Sequence, residues 1–232
     1  MTRGLWLDSP PLDVYEQMAL DEALCVPAQK PAFRAYNWKG GGYTFGYAQF
    51  FDEVKKNLPA GAAFTRRPTG GGIVEHTDDF TFCCVLPETE RRPPQELYSR
   101  LHGAFLSALR AGGVECVLSS PQPKASAYAP SSGGIAAACF KNPVAQDLLD
   151  VSGNKILGGA IRRYDGVALY QGSLQIPGAR GGTEEFAKSF ANALGEAFGM
   201  EWERSGAGEL LLDHVRAEAV AKYRSAQWCE KF

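Results

Sequence analysis

An α+β fold is predicted for this chain, as a single domain over residues 1–232, from three observations. Helix-like i,i+4 spacing and strand-like alternation occur in the same chain, they do not follow each other in regular βαβ order, and no internal repeat or low-complexity linker divides them. With 232 residues, 45% apolar and 11% aromatic, the chain is long enough to bury one large core.

The elements follow in order. Residues 13–25 (DVYEQMALDEALC) predict a first helix: Pro10-Pro11 precede it, Asp13 supplies an N-cap oxygen with Glu16 three residues on, and Val14/Met18 and Leu20/Leu24 are i,i+4 apolar pairs. Ala32–Tyr36 and residues 43–47 alternate like strands on either side of WKGGG, and the mostly apolar run at 80–86 predicts a buried strand that stops at Pro87. Leu97, Leu101, Phe105 and Leu109 stack at four-residue spacing in a helix over 95–111. A strand at 114–118 leads to a small-residue loop at 124–134, the stretch with the most flexible composition. Strands are expected at 146–151, 155–163 and 167–176. A helix over Thr183–Phe198 follows, with Thr183 as N-cap and Phe186, Phe190 and Leu194 on one face, and a last helix spans 209–223.

Charge and composition exclude several classes. The net charge of −2 argues against a non-specific nucleic-acid binder, which needs surplus positive charge. No apolar run reaches the roughly 20 residues of a membrane span, and MTRGLWLDSPPLDVYEQ is not patterned as a signal peptide, so a cytoplasmic location is expected. Cys25, Cys83, Cys84, Cys116, Cys139 and Cys229 are scattered without metal-ligand spacing. They read as free thiols, most of them small core residues, and no metal site is expected.

Three stretches carry candidate chemistry. In RRPTGGGIVEH, Gly70, Gly71 and Gly72 let backbone amides approach a ligand, while Arg66 and Arg67 add permanent fork-shaped charge suited to phosphate or carboxylate. The spacing matches neither dinucleotide nor P-loop patterns, and a plain glycine turn with exposed arginines accounts for it equally. In GNKILGGAIRR, Gly153-Asn154 signals a hairpin, Lys155 opens a strand, and Gly158-Gly159 marks a bulge or a close approach. Lys155 is there either a solvated surface charge or the group that meets a ligand. Cys139 in AAACFKNP is either a small buried residue or a nucleophile whose thiolate is favoured by a cation such as Lys141 or Lys155. His76 is a candidate base or a structural residue; His102 and His214 receive no role.

Taken together, RRPTGGGIVEH, GNKILGGA, DVYEQMALDEAL, YTFGYAQ, YQGSLQI and KYRSAQW resemble, in order, the lipoate–protein ligase and octanoyltransferase family, which shares its catalytic fold with biotin–protein ligases. The resemblance implies a mixed, mainly antiparallel sheet flanked by helices with a second small sheet; at 232 residues, the C-terminal accessory domain that many ligases carry is not expected. It implies an acyltransferase that moves an octanoyl (or lipoyl) group from acyl carrier protein, through an acyl-Cys139 intermediate, to a lysine of a lipoyl-carrier domain. Those acceptors belong to 2-oxoacid dehydrogenases or are the glycine cleavage H protein. Cys139 and Lys155 would be catalytic. Arg66, Arg67, Thr69, Gly70, Gly71, Gly72 and His76 would bind substrate from one motif, and Gly158, Gly159 and Ala160 from the other. Cys139-Phe140 followed by Pro143 matches the CFxxP pattern of one transferase branch, which needs no cofactor. The third glycine, Gly72, is the more ligase-like choice and keeps open an ATP- and Mg²⁺-dependent lipoate ligase forming lipoyl-adenylate. A non-catalytic relative that binds lipoyl domains is the third reading.

Overall fold

The computed structural model describes residues 1–25, 30–88, 93–120, 140 and 143–232. In chain order they form β1 (Thr2–Asp8), α1 (Val14–Ala23), β2 (Ala32–Tyr36), β3 (Tyr43–Phe45), α2 (Phe51–Lys55), β4 (Phe64–Arg66) and β5 (Val74–Glu75). There follow β6 (Phe80–Pro87), α3 (Pro94–Ala111), β7 (Cys116–Leu118), β8 (Leu148–Asp150), β9 (Lys155–Tyr164) and β10 (Val167–Leu174). The last elements are α4 (Thr183–Phe198), β11 (Met200–Gly206), α5 (Glu209–Glu218), a π-helical turn at Ala219–Tyr223 and α6 (Ala226–Cys229).

An eight-stranded sheet runs β11-β1-β2-β6-β10-β9-β8-β7. Its β1 pairs are parallel and the rest antiparallel, which makes it mixed and mainly antiparallel as expected. The second sheet, β4-β3-β5, is small and carries the glycine-rich motif between its outer strands. β6 is buried on both faces, which is why its sequence is an apolar run rather than an alternation. Phe80 and Phe82 pack toward α3 and α4, where Phe82, Phe105 and Phe190 meet at centroid distances of 4.7–5.1 Å. Cys83 and Val85 face the other way, with Cys25 and Leu169. Helices α1 and α5 cover a further cluster around Leu20, Tyr36 and Tyr223.

The capping box is present at α1: the Asp13 side chain accepts from the Tyr15 and Glu16 amides and the Glu16 side chain returns a bond to the Asp13 amide. Four expectations are corrected. The first helix ends at Ala23, and the strand expected from residue 114 begins at Cys116. The residue at the N-cap of α4 is Gly182, and Thr183 instead turns its hydroxyl onto Arg180 O at 2.8 Å. The last predicted helix is broken by the π turn, which lets Tyr223 turn inward to donate to Glu22 at 2.8 Å. Four strands, β1, β4, β5 and β11, were not expected, and of these β1 and β11 belong to the large sheet. They pair with each other along their whole length, and β11 (MEWERSG) is largely exposed, so its sequence reads as surface. The loop at 124–134 lies outside the described residues.

All five described cysteines are buried free thiols, and burial pushes the Cys25 thiol up to about 12. Among the described residues no helix is long and apolar enough to cross a membrane, and no group of three or more His, Cys, Asp or Glu side chains is placed to hold a metal ion.

Candidate active site

Three glycines in the middle of the large sheet are required by what lies across them. A Cβ at Gly158 would sit 2.1 Å from Lys155 Cε, one at Gly159 2.3 Å from the Tyr170 ring, and one at Gly172 2.5 Å from the Phe82 ring. The strand interior is bare so that a lysine and two aromatic rings can lie flat against it. Above this floor is a cleft of about 400 Å³, its open mouth included, lined by Met18, Thr44, Arg67, His76, Phe140, Gly158, Gly159, Ala160, Gln171 and Ser173 among others.

Lys155 is not a surface charge. Its side chain is 3% exposed and its Nζ lies 2.9 Å from Asp147 Oδ2, with the Phe140 ring centroid 5.1 Å away. Asp147 is held in turn by the Tyr98 hydroxyl on Oδ1 at 2.6 Å and the Val144 amide on Oδ2 at 2.7 Å. A buried ammonium is tolerable only when paired in this way. The Tyr98 hydroxyl also receives the Gly159 amide at 3.3 Å, so the Lys155 partner is tied to the glycine floor.

The two arginines of the glycine motif have separate jobs. Arg66 is fully buried, and its guanidinium donates to the carbonyls of Tyr47 (2.6 Å), Gln49 (2.7 Å), Trp228 (3.1 Å) and Cys229 (2.7 Å). It fastens the glycine-rich segment to the C-terminal turn and is not among the residues lining the cleft. Arg67 does line it, and closes the loop by donating to Gly70 O at 3.0 Å from Nε. Gly71 takes φ 94°, open to glycine and strained for other residues, and its carbonyl packs so tightly on Gly46 that a Cβ there would lie 2.0 Å away. Gly70, Gly71 and Gly72 thus shape the wall without lining the cleft. Thr69 is buried and donates to Gln171 Oε1 at 2.7 Å, while Gln171 Nε2 donates to Asp21 Oδ2 at 2.8 Å. His76 lies in the wall, stacked on Trp38 at 4.1 Å, with both ring nitrogens hydrogen-bonded.

The structure therefore brings together Arg67, His76, Gly158, Gly159 and Ala160 around one cleft, and packs Lys155, which does not itself line it, against two of the lining residues, Gly158 and Phe140. Cys139 and Lys141 lie outside the described residues; Phe140, bonded to Cys139, is in the cleft. Sequence reasoning missed Asp147, Tyr98, Thr44 and Asp79. Only Asp79, in HTDD directly after His76, stood near enough to a candidate to have been noticed.

Behind the floor, His102 is fully buried against the Tyr170 hydroxyl at 2.9 Å. Burial pushes its pKa down to about 3, and the charge on Lys155 acts in the same direction. An unfolded histidine near 6.5 binds a proton that the folded one refuses, so between those values stability falls as pH falls, by about 1.4 kcal/mol per unit. Urea midpoints at pH 7 and pH 5 are expected to show this loss, about 2 kcal/mol by pH 5, in the wild type and not in His102→Gln.

Residues 13–210 match the lipoyl protein ligase A/B catalytic domain. The chain belongs to this family. Its curated relatives include the octanoyltransferase LipM of Lysinibacillus sphaericus, 33% identical over 195 residues that cover 76% of this chain and 67% of that protein. The LipM of Oceanobacillus iheyensis is 31% identical over 184 residues, covering 74% and 63%, so the chain spans about two thirds or less of these relatives' length. Among solved structures, a Thermoplasma acidophilum protein described as a proposed lipoate protein ligase, with bound lipoic acid, superimposes with a TM-score of 0.76 at 20% identity, covering 100% of both chains. A lipoate-protein ligase A bound with ATP gives 0.73 at 21%, covering 99% of both. These two likenesses establish the fold: the family's α+β catalytic architecture is the one observed. In lipoyl protein ligase A/B terms, the glycine-rich motif and the Lys155 strand are two walls of one cleft.

Proposed function

We propose that this family member transfers an octanoyl group from acyl carrier protein to a lysine of a lipoyl domain, through a thioester on Cys139. The observation that carries the reading is the Lys155 ammonium, buried and ion-paired, against the ring of Phe140, the residue bonded to Cys139. The LipM names of its relatives support the same activity.

The chemistry follows from these groups. The octanoyl tail lies in the cleft over the bare glycine floor, where each buried methylene contributes about 0.8 kcal/mol. Cys139 thiolate attacks the donor thioester carbonyl, and the positive Lys155 Nζ stabilises the oxyanion, a type of contact whose loss typically costs about 10²–10³ in rate. The donor's sulfur leaves as a thiolate, and the acyl-enzyme awaits the acceptor lysine. Acceptors of this chemistry are the lipoyl domains of 2-oxoacid dehydrogenases and the glycine cleavage H protein. No cofactor enters this route.

Octanoyl-acyl carrier protein and a lipoyl domain, mixed with the enzyme in the absence of ATP, are expected to yield a lipoyl domain heavier by one octanoyl group. Modification only with free lipoate or octanoate plus ATP and Mg²⁺ would establish the ligase reaction instead. Binding of the lipoyl domain with neither reaction would establish a non-catalytic role.

A further inference from the structure

Two cations that the scheme above leaves unused converge on one phenol at the rim of the cleft. Arg162, on β9, follows the cleft-lining Gly158 and Ala160 at two-residue spacing, so its side chain leaves the same face of the strand. Its guanidinium lies over the Tyr47 ring at 4.4 Å and donates to Pro68 O at 3.0 Å. Lys231, just after α6, lies over the same ring at 4.6 Å and donates to the Tyr47 hydroxyl. Together they hold that hydroxyl below the usual tyrosine range, the Lys231 hydrogen bond foremost. Lys155, Arg163 and Lys222 are each paired with a carboxylate, whereas among the described residues Arg162 and Lys231 have none within ion-pair distance. Two like charges held over one ring repel, and an anion bridging them turns that repulsion into attraction.

Backbone bonds fix the pair relative to the glycine-rich motif. The Tyr47 amide donates to Thr69 O at 2.8 Å, and Arg66 donates to Tyr47 O at 2.6 Å. Arg66 itself is spent on backbone carbonyls and is buried, so the exposed anion-binding chemistry falls to Arg162 and Lys231. The length of β9 between the two sites then limits what can span them. Lys155 folds back over Gly158, and Gly158 to Arg162 is four steps along the strand, about 13 Å at the usual rise. A phosphopantetheine arm runs roughly twelve bonds from its sulfur to its phosphorus, the equivalent of about four extended residues or about 14 Å.

We propose that Arg162 and Lys231, seated on Tyr47, bind the phosphate of the donor's phosphopantetheine arm. The proposal rests on the thioester-donor reading above, in which the donor carbonyl meets Lys155 Nζ. With the carbonyl there, the arm lies along β9 past Ala160, whose side chain is a single methyl, and its phosphate reaches Arg162. The guanidinium offers paired N–H donors of fixed geometry and the lysine a mobile ammonium, the usual combination for a phosphate. The donor is then held at two points, its acyl chain by the cleft and its phosphate by the rim.

The test uses two small donors that differ only in the phosphate, octanoyl-pantetheine and octanoyl-4′-phosphopantetheine. Acylation of the full chain by each is followed by intact mass, and the ratio of the two second-order rates is read. Misfolded protein cancels in that ratio. Wild type is expected to favour the phosphorylated donor by about 10–10²-fold, the scale of a hydrogen bond to a charged group. Arg162→Gln and Lys231→Gln should each reduce the preference, and the double variant should abolish it. Octanoyl-acyl carrier protein should acylate the double variant at least about tenfold more slowly than wild type. The phosphate site is overturned if wild type is acylated equally fast by the two small donors, or if the double variant keeps the wild-type preference. Octanoyl-coenzyme A shares the arm, and a wild type that it acylates faster than octanoyl-acyl carrier protein does would overturn the carrier as the source of the phosphate. A wild type that no donor acylates refutes the underlying thioester reading, and the phosphate site with it.

Discussion

Lys155→Met is expected to lose octanoyl transfer by about 10²–10³-fold, the cost of removing one oxyanion donor, and to lose stability at the same time. The two losses have different origins. The side chains of Lys155 and Asp147 are 3% and 0% exposed, 2.9 Å apart, so removing the lysine strands a buried carboxylate, at a cost of about 3–5 kcal/mol. Converting the partner as well removes the stranded charge: Lys155→Met/Asp147→Asn should regain most of the denaturation midpoint. It should not regain activity. A double variant as unstable as the single one would mean that the pair is not what holds this corner together. A stable double variant with wild-type transfer rates would mean that Lys155 is a structural charge.

The second large effect lies away from the cleft mouth. Arg34 and Asp21 are both 0% exposed, with Nη1 2.5 Å from Oδ1. Asp21 also accepts from the Tyr36 hydroxyl at 2.9 Å and from Gln171 Nε2 at 2.8 Å. Arg34 lies over the Tyr36 ring at 4.0 Å and bonds Gln17 and Ser9 as well. Asp21→Ala leaves a buried guanidinium without its counter-charge, and about 3–5 kcal/mol of unfolding free energy should disappear in urea titrations. The Gln171–Thr69 bond runs from this hub to the glycine loop, so acyl transfer should weaken even in the folded fraction. Asp21→Asn keeps the shape and one acceptor, and should lose less of both. Equal, small losses in the two variants would show that the hub contributes packing and not charge.

Much of this organisation was legible in the residues. The capping box at Asp13 and Glu16 and the four-residue ladder in α3 are local signals, complete within one turn or one helix. The two central strands were equally plain, expected at 155–163 and 167–176 and found at Lys155–Tyr164 and Val167–Leu174. The pairing of β1 with β11 was not legible. It joins the two ends of the chain through backbone bonds, and residues such as Glu201, Glu203 and Arg204 give no apolar pattern. Within the site, Lys155 and the glycines announced themselves by type and spacing. Their purpose did not: Gly158 is glycine because Lys155 lies across it, which only the fold can reveal. Asp147 and Tyr98 were invisible for the same reason, since one precedes a strand, the other lies on a helix, and they meet only in space. Arg66 and Arg67 looked equivalent in sequence and differ completely in environment. One is consumed by five backbone carbonyls, while the other faces the cleft.

The central claim, transfer through a thioester on Cys139, is tested most directly by weighing the enzyme itself. Wild type incubated with octanoyl-acyl carrier protein and no acceptor should gain the mass of one octanoyl group, mapped by peptide analysis to Cys139. The added mass should vanish when a lipoyl domain is supplied, and Cys139→Ala should never acquire it or modify the lipoyl domain. Full transfer to the lipoyl domain by Cys139→Ala would contradict the account.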